Sequence, residues 1–364
     1  MNVQSGQVQQ LTEGSEPAWS PNPPNCANNP PTGINLTITK MTDSRGNNVY
    51  TPNLSTQGTV EGNTVFATVQ VDNCKNTSVQ GSLQLMRTSG ISDPLASQDN
   101  VTLLPFSSKE IQLSFSTKDQ HMTWLNHNQG EYERVGSIAI NAVWNISNIP
   151  STSANVSFTV RPRPVMLVHG YDDTFSSWGT YQHDPNFLPL LQGVISYTVK
   201  MNTRGFPTNT IDQNAQLLRN EIRKAQNQQG ADQVDVVAHS MGGLITRRYL
   251  AAYTTTPTIN QVIMLGTPNL GVYSATLLSP LCTTFALGGF SDLIPHCHFP
   301  AILELTIPSV LLFNTTNTAR RGAEFYDIVV WNQSVFGISL DGQWTYPSGL
   351  FGSCEYSGPL VKHR

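Results

Sequence analysis

Charged side chains are scarce in this chain of 364 residues, since Asp, Glu, Lys and Arg supply only 12% of it, against about 25% in average soluble proteins. Lys and Arg form no cluster and the net charge is −4, which argues against nucleic acid as the main partner. The sequence also lacks a run of about 20 apolar residues, the length that crosses a bilayer, so we expect no transmembrane segment.

Cysteine is rare as well, with five in the chain, and this odd number leaves at least one thiol unpaired within it. Cys26 and Cys74 could link the N-terminal part, and Cys282 and Cys297 could close a later segment, which would leave Cys354 free. Because a disulfide needs its two cysteines close in space, the sequence leaves open the alternative of five reduced, buried thiols.

The part before residue 161 contains two kinds of sequence. Residues 1–33 are rich in Pro, Asn, Gln and Ser and predict a disordered lead-in. Residues 34–160 hold about seven runs in which apolar and polar residues alternate, the pattern of half-buried antiparallel strands. This series predicts an all-β, immunoglobulin-like sandwich domain, followed by a hinge at 161–164. Spacer, adhesion and substrate-presenting roles stay open for this domain.

Residues 236–243, Val-Val-Ala-His-Ser-Met-Gly-Gly, form the most informative motif. A β-branched run suited to a buried parallel strand leads into Ser240, and a helical pattern follows it. A serine at a sharp strand-to-helix turn adopts a strained backbone conformation, and only small neighbours leave room for that turn. We therefore predict that Ser240 is a nucleophile, on a turn whose first small position is Ala238.

The segment from about 163 to 268 resembles the α/β-hydrolase lipases and esterases, especially the small bacterial lipases that carry Ala-His-Ser-Met-Gly at this turn. Residues 164–171 resemble the strand and His-Gly turn of the oxyanion hole, and residues 261–269 resemble the next strand with its Gly-Thr-Pro end. Between them, apolar residues at helical spacing predict a helix that ends at Gly230. The resemblance implies an α/β-hydrolase domain with a mostly parallel sheet over residues 161–364.

Ester hydrolysis through an acyl-enzyme needs a nucleophile, a base, a carboxylate that orients the base, and donors for the oxyanion. The resemblance implies that the backbone N–H groups of Tyr171 and Met241 are these donors. In α/β-hydrolases the acid and then the histidine follow the serine along the chain. That order favours Asp341 and His363, which are 22 residues apart, a spacing similar to that in small lipases. Asp327 and Asp292 are the alternative acids.

Other polar residues near the motif have simpler interpretations. His239 packs in the turn, and His169 contacts loop backbone. Arg247 and Arg248 form the solvated side of the following helix. Residues 296–298, His-Cys-His, lack the paired spacing of a zinc site. We therefore expect no metal and no organic cofactor.

Residues 271–308 are rich in apolar side chains and stand where lipases of this fold insert a lid. We expect this lid-like segment to cover Ser240 and to offer an apolar wall for an acyl chain, with contact to a lipid interface. The alternative is an ordinary buried connection.

Two classes of function follow from these patterns. The first is a carboxylic-ester hydrolase, a lipase or esterase that acts on a lipid or another ester, with acyl transfer to an alcohol as a close variant. The second is a catalytically inactive hydrolase-fold protein that serves in surface display or binding. We expect an extracellular or cell-surface location, with the export signal outside this chain, because residues 1–7 are polar and hold no signal-peptide core.

Overall fold

A computed structural model provides the structure of the chain. It describes residues 25–26, 33–54, 58–88, 93–118, 125–126, 131–132, 136–146, 149–179, 195–205, 207–288, 297, 300–328, 334–335, 338–339 and 360–363.

The N-terminal domain consists of strands that form two main sheets. Its strands are β1 (Ile34–Asp43), β2 (Asn48–Tyr50), β3 (Thr59–Val60), β4 (Thr64–Asn73), β5 (Val79–Arg87), β6 (Ala96–Leu103), β7 (Ser108–Ser116), β8 (Leu125–Asn126), β9 (Glu131–Tyr132), β10 (Gly136–Ile146), β11 (Ile149–Thr152) and β12 (Val156–Arg161). One sheet has the order β2-β1-β4-β7. The other has the order β3-β12-β10-β5-β6, with β11 paired to β10, and β8 pairs with β9. Apart from the parallel pair β3–β12, the neighbours run antiparallel.

The two main sheets share one apolar core, as the alternating sequence predicts. Along β4, for example, Val65, Ala67, Val69 and Val71 are fully buried, while the residues between them are partly exposed. Trp144 of β10 is the largest buried side chain of this core. The all-β architecture is therefore present in the described residues, while its immunoglobulin-like classification stays a prediction.

The predicted lead-in, residues 1–33, lies almost wholly outside the described residues. Within it, Cys26 is bonded to Cys74, the residue after β4, at a sequence separation of 48. Closing a loop of this length restricts the unfolded chain, which stabilises the domain by about 4 kcal/mol in the chain-entropy treatment.

The C-terminal domain alternates strands and helices around a six-stranded sheet. Its elements are β13 (Val165–Val168), β14 (Ser196–Thr198), α1 (Ile211–Gln229), β15 (Val234–His239), α2 (Met241–Ala252), β16 (Ile259–Leu265), α3 (Tyr273–Leu287), α4 (Ala301–Glu304), α5 (Ile307–Thr316), β17 (Glu324–Ile328), β18 (Ser334–Val335), β19 (Ile338–Ser339) and β20 (Leu360–His363). The sheet order is β14-β13-β15-β16-β17-β20, and a separate pair joins β18 to β19. The first five strands are parallel, and β20 is antiparallel to β17. This mixed sheet is that of an α/β-hydrolase-like fold.

Helix α1 has the start, the face and the end that its sequence predicts. Thr210 and Gln213 form a capping box at its N-terminus. Gly230 takes a left-handed conformation at its end, with φ 64°. The apolar stripe, which includes Leu218 and Ile222, is fully buried in the core of the domain, where each such side chain contributes about 1.5–3 kcal/mol of burial free energy.

Residues 161–164, where the sequence predicts a hinge, make contacts with both domains. The Arg163 side chain is 4% exposed and forms an ion pair of 3.3 Å with Glu61. Arg161 donates to the Gln229 carbonyl at the end of α1, at 3.2 Å. These contacts tie the linker to elements on both sides of it.

Candidate active site

Ser240 lies at the turn between β15 and α2, with φ 50° and ψ −123°. A positive φ is unfavourable for any residue with a Cβ, and costs of about 1–3 kcal/mol are typical of such positions. The turn is held from two sides, because Ser240 N donates to the Leu265 carbonyl at 2.9 Å and Gly243 N donates to the Ser240 carbonyl at 3.1 Å. The serine is therefore held in a strained corner at the carboxyl end of the parallel sheet.

The two glycines after Met241 let α2 approach its neighbours closely. A Cβ at Gly242 would lie 2.6 Å from the Val168 carbonyl oxygen, and one at Gly243 would lie 2.0 Å from Thr267 Oγ1. Neither distance is possible for real atoms, so any larger residue would push the helix away from β13 or from the end of β16. The small residues predicted around Ser240 are thus required by the packing.

The loop after β13 lies directly against Ser240. A Cβ at Gly170 would lie 2.7 Å from Ser240 Cβ and 3.1 Å from the His239 carbonyl oxygen. Tyr171 follows this glycine, and Met241, whose side chain is fully buried, is the first residue of α2. Met241 thus follows the serine directly and Tyr171 follows a glycine that contacts it, while their role as oxyanion donors stays a prediction.

His169 is fully buried and fixes the loop of Gly170 to the segment that follows β14. Its Nε2 accepts from Met201 N at 3.4 Å, and its Nδ1 lies 3.1 Å from the Gly170 carbonyl oxygen. This pattern fits a neutral imidazole with its proton on Nδ1. Burial lowers the pKa of His169 further than Asp173 raises it. The histidine contacts backbone, as the sequence-based interpretation expects.

Asp173 was not singled out by the sequence, yet it lies at the same edge of the sheet. Its Oδ2 is 4.0 Å from His239 Nδ1. Its Oδ1 accepts from Thr174 N at 2.7 Å and from the Ser177 hydroxyl. Burial lowers the pKa of His239, and the charge of Asp173 opposes that shift. The sequence signal that could have identified Asp173 is its place shortly after the predicted oxyanion turn.

The two remaining predicted triad members, Asp341 and His363, stay predictions. Asp341 lies outside the described residues. The backbone of His363 lies in β20 opposite Phe325, three residues along β17 from Ile328. Three residues of strand span about 10 Å, and Ile328 is at the carboxyl end of β17. In this register the backbone of His363 lies three residues short of that edge, and the role of His363 as the base stays a prediction.

Arg247 lies inside the domain, so its interpretation as a solvated residue of α2 is wrong. It is 1% exposed, and it donates to Asn269 Oδ1 at 2.9 Å and to the Asn317 carbonyl at 3.4 Å. Asn269 in turn donates to Asp327 Oδ2 at 3.1 Å. Burial lowers the pKa of Arg247 to about 10 although the charge of Asp327 opposes this. Asp327, the alternative acid, thus belongs to a buried network that joins α2 to β17.

The described part of the lid-like segment carries an exposed apolar patch on α3. Leu277, Leu278 and Leu281, which we call the α3 leucine patch, are 58%, 41% and 54% exposed. Cys282, the residue after Leu281, is buried and bonded to Cys297. The segment leaves the sheet after β16, at the carboxyl edge where Ser240 lies. Asp292 and Cys354 lie outside the described residues.

Among the described residues, no helix has both the length and the apolar character needed to cross a membrane.

Comparisons with known proteins give partial matches. A family model described as "Domain of unknown function (DUF7379)" matches residues 134–278. No curated protein matches the chain. Among solved structures, the mature form of the Bacillus licheniformis lipase BlEst2 is 19% identical over 48% of this chain and 69% of its own, with a TM-score of 0.36.

Two further solved structures cover a similar part of the chain. Phospholipase PlaB from Legionella pneumophila is 20% identical over 45% of this chain and 38% of its own, with a TM-score of 0.36. The lin2722 product from Listeria innocua is 16% identical over 45% of this chain and 68% of its own, with a TM-score of 0.30. The match thus spans well under half the length of PlaB. The α/β-hydrolase-like fold rests on the order of the sheet and on the turn at Ser240.

Proposed function

We propose that this protein is a carboxylic-ester hydrolase that works through a serine acyl-enzyme. One observation carries the proposal: Ser240 occupies a strained strand-to-helix corner while the backbone of Gly170 lies in contact with it. Strain at a non-glycine residue persists only where the surrounding structure enforces it, and it is concentrated at functional sites. Two of the solved structures that match part of the chain are a lipase and a phospholipase.

In the proposed reaction, Ser240 Oγ attacks the ester carbonyl carbon while a base removes the hydroxyl proton. The electron pair of the carbonyl moves to oxygen, and the N–H groups of Tyr171 and Met241 donate to this oxyanion. Collapse of the tetrahedral intermediate breaks the bond to the alcohol, which leaves with the proton from the base. Water then repeats the sequence and releases the acid. Each oxyanion donor is worth about 100-fold to 1,000-fold in rate.

The proposed base and acid are His363 and Asp341. The order of the residues along the chain supports this assignment. The register of β20 gives it no further support. His239 is the matched control because it is an imidazole adjacent to the serine in sequence. We expect His363→Ala to reduce kcat by about 10⁴-fold or more, while His239→Gln retains it within about tenfold. The reverse result would move the role of base to His239 and its neighbour Asp173.

The proposed substrate is a lipid or another ester with an apolar acyl chain. The α3 leucine patch supports this choice, since three neighbouring leucines of one helix offer exposed apolar surface. We propose that this patch contacts the lipid interface. The two disulfides support an extracellular or cell-surface location, because disulfides persist in oxidising compartments.

Hydrolysis of p-nitrophenyl butyrate and p-nitrophenyl laurate by the full chain tests the activity and its acyl preference together. We expect turnover of both esters, with Leu278→Ser and Leu281→Ser lowering the rate on the laurate more than the rate on the butyrate. Ser240→Ala should abolish both activities. A preference for only the shortest acyl groups would count against the lipid role. Added glycerol or short alcohols would reveal acyl transfer as ester products.

Absence of turnover with every ester would favour the second candidate, an inactive hydrolase-fold binding protein.

A further inference from the structure

A groove lies between the two domains, and we call it the junction groove. Its volume is about 760 Å³, within the range of about 300–1,000 Å³ typical of small-molecule sites. The sandwich domain contributes Arg45 and Lys118 to it, and the hydrolase domain contributes Arg223, Asp232 and residues 254–258. Most small-molecule sites are mainly apolar, whereas this groove is lined mainly by polar residues, which indicates a hydrophilic ligand.

A buried polar network holds the two walls of the groove together. Asp43 is 4% exposed and accepts from the side chains of Thr59 at 2.7 Å and Asn63 at 3.0 Å. Asn63 also donates to the Gly230 carbonyl at 2.8 Å, across the junction. Asp232 N donates back to Asn63 Oδ1 at 2.8 Å. A reciprocal set of hydrogen bonds between domains fixes their separation, so the groove is preformed and binding needs little reordering.

The charge of Asp43 strengthens this network. Burial by itself opposes ionisation of the carboxyl, but the hydrogen bonds from Asn47, Thr59 and Asn63 outweigh it and hold the pKa of Asp43 below its usual value. The carboxylate is thus ionised at neutral pH, and hydrogen bonds to a charged acceptor are stronger than neutral ones.

The groove is positively charged although the chain as a whole carries a net charge of −4. Arg45, Lys118 and Arg223 line it, against the single carboxylate of Asp232. The Asp232 carboxylate accepts from the Ser44 hydroxyl. Arg45 donates to the neutral Asn227 Oδ1 at 2.6 Å, a contact that leaves its charge uncompensated. Cations that line a concave surface attract an anion more strongly than scattered surface cations do.

The opposite wall of the groove offers groups that suit sugar hydroxyls. Residues 254–258 read Thr-Thr-Thr-Pro-Thr, and Thr255 and Thr256 are exposed. Tyr253 and Gln226 belong to the same lining, but the Tyr253 hydroxyl already donates to Asp212 and the Gln226 amide to the Asp232 carbonyl, so the exposed threonines are the groups that face a ligand. Hydroxyls and amides both donate and accept hydrogen bonds, which matches a ligand that carries hydroxyl groups along its length.

We propose that the junction groove binds an acidic oligosaccharide, with its carboxylates or sulfates on the cations and its hydroxyls on the threonine wall. A single phosphate would fill only a small part of this volume. A nucleic acid would need a basic surface much larger than three side chains.

The ligand does not reach Ser240. The groove lies at the amino end of β15, and the six residues of that strand span about 20 Å. The proposal is thus independent of ester hydrolysis.

Calorimetric titration of the full chain with tetragalacturonate, and with uncharged maltotetraose of the same length, tests the proposal. We expect the acidic sugar to bind at least about tenfold more tightly, and to lose affinity as sodium chloride is raised from 50 to 500 mM. Arg223→Gln and Lys118→Gln should each weaken binding by about threefold to tenfold, the range expected for charged hydrogen bonds and exposed ion pairs.

Two matched controls separate the groove from general surface charge. Lys224 is adjacent to Arg223 but pairs with Glu221 and does not line the groove, and Lys109 is an exposed lysine on β7. Lys224→Gln and Lys109→Gln should leave affinity unchanged within about twofold. Equal binding of the two sugars, no binding of the acidic sugar, or equal weakening by all four variants would overturn the proposal.

Discussion

The contact between Gly170 and Ser240 makes a quantitative prediction for Gly170→Ala. The backbone of Gly170 does not have a positive φ, so alanine brings no conformational strain of its own. Its Cβ would lie 2.7 Å from Ser240 Cβ, 3.1 Å from the His239 carbonyl oxygen and 3.2 Å from His239 Nδ1. Ordinary contacts begin near 3.4 Å, so the serine and the oxyanion loop must separate by about 0.7 Å.

A misplacement of about 1 Å at reacting groups costs about 100-fold in rate. We therefore expect Gly170→Ala to lower kcat/KM for p-nitrophenyl butyrate by about 30-fold to 100-fold, which corresponds to about 2–3 kcal/mol of transition-state stabilisation. Gly179→Ala is the matched control, because a Cβ at Gly179 meets no atom of the described residues within 4 Å. The control should retain wild-type kcat/KM.

Thermal unfolding of both variants separates a local displacement from a loss of fold. We expect Gly170→Ala to remain folded at the assay temperature while its kcat/KM falls. If Gly170→Ala retains kcat/KM within about twofold of the wild type, the oxyanion loop does not lie against the serine and the geometry of the site is refuted. An equal loss in Gly179→Ala would refute it as well.

Three further predictions concern buried charges. Burial raises the pKa of Glu304 to about 7 from 4.5. The wild type therefore loses up to about 3 kcal/mol of stability as pH rises from 4.5 to 7, and Glu304→Gln should be the more stable protein at pH 8 but not at pH 4.5 in urea titrations. Asp43→Ala should lower the free energy of unfolding by about 3 kcal/mol at pH 7 because it leaves buried amide donors unpaired. Because the pKa of Asp43 is lowered, the stability that this carboxylate gives the wild type is lost as pH falls below about 4. The difference in free energy of unfolding between the wild type and Asp43→Ala should therefore become smaller in acid, and a constant difference would contradict this explanation. Arg247→Met should lower the free energy of unfolding by about 3–5 kcal/mol since it removes the cation near the buried Asp327. A double-mutant cycle with Asp327→Asn measures the coupling between the two residues. A smaller loss in the Arg247→Met/Asp327→Asn double variant than in Arg247→Met would establish that coupling.

Local signals were enough to predict the parts of the site that depend on short stretches of chain. The corner at Ser240 follows from a β-branched strand and small residues around the serine. Helix α1 follows from its apolar spacing and from Gly230. The Cys26–Cys74 and Cys282–Cys297 disulfides that the structure contains were each one of the alternatives that the sequence left open.

Residues that depend on distant parts of the chain could not be predicted in the same way. Arg247 has the sequence neighbours of an exposed helical arginine, and its burial depends on Asn269 and Asp327, which come from other elements. The network of Asp43 and Gly230 joins residues 187 positions apart, so no local pattern marks it. Sequence reasoning identifies such residues only when their partners are also known.

Labelling with a fluorophosphonate probe tests directly whether Ser240 is an activated nucleophile, since the probe reacts only with a serine of that kind. We expect one probe molecule per folded chain, and peptide mapping should locate it on Ser240. The Ser240→Ala variant should not be labelled. A folded wild-type chain that takes up no probe, or that carries it on another residue, would contradict the account.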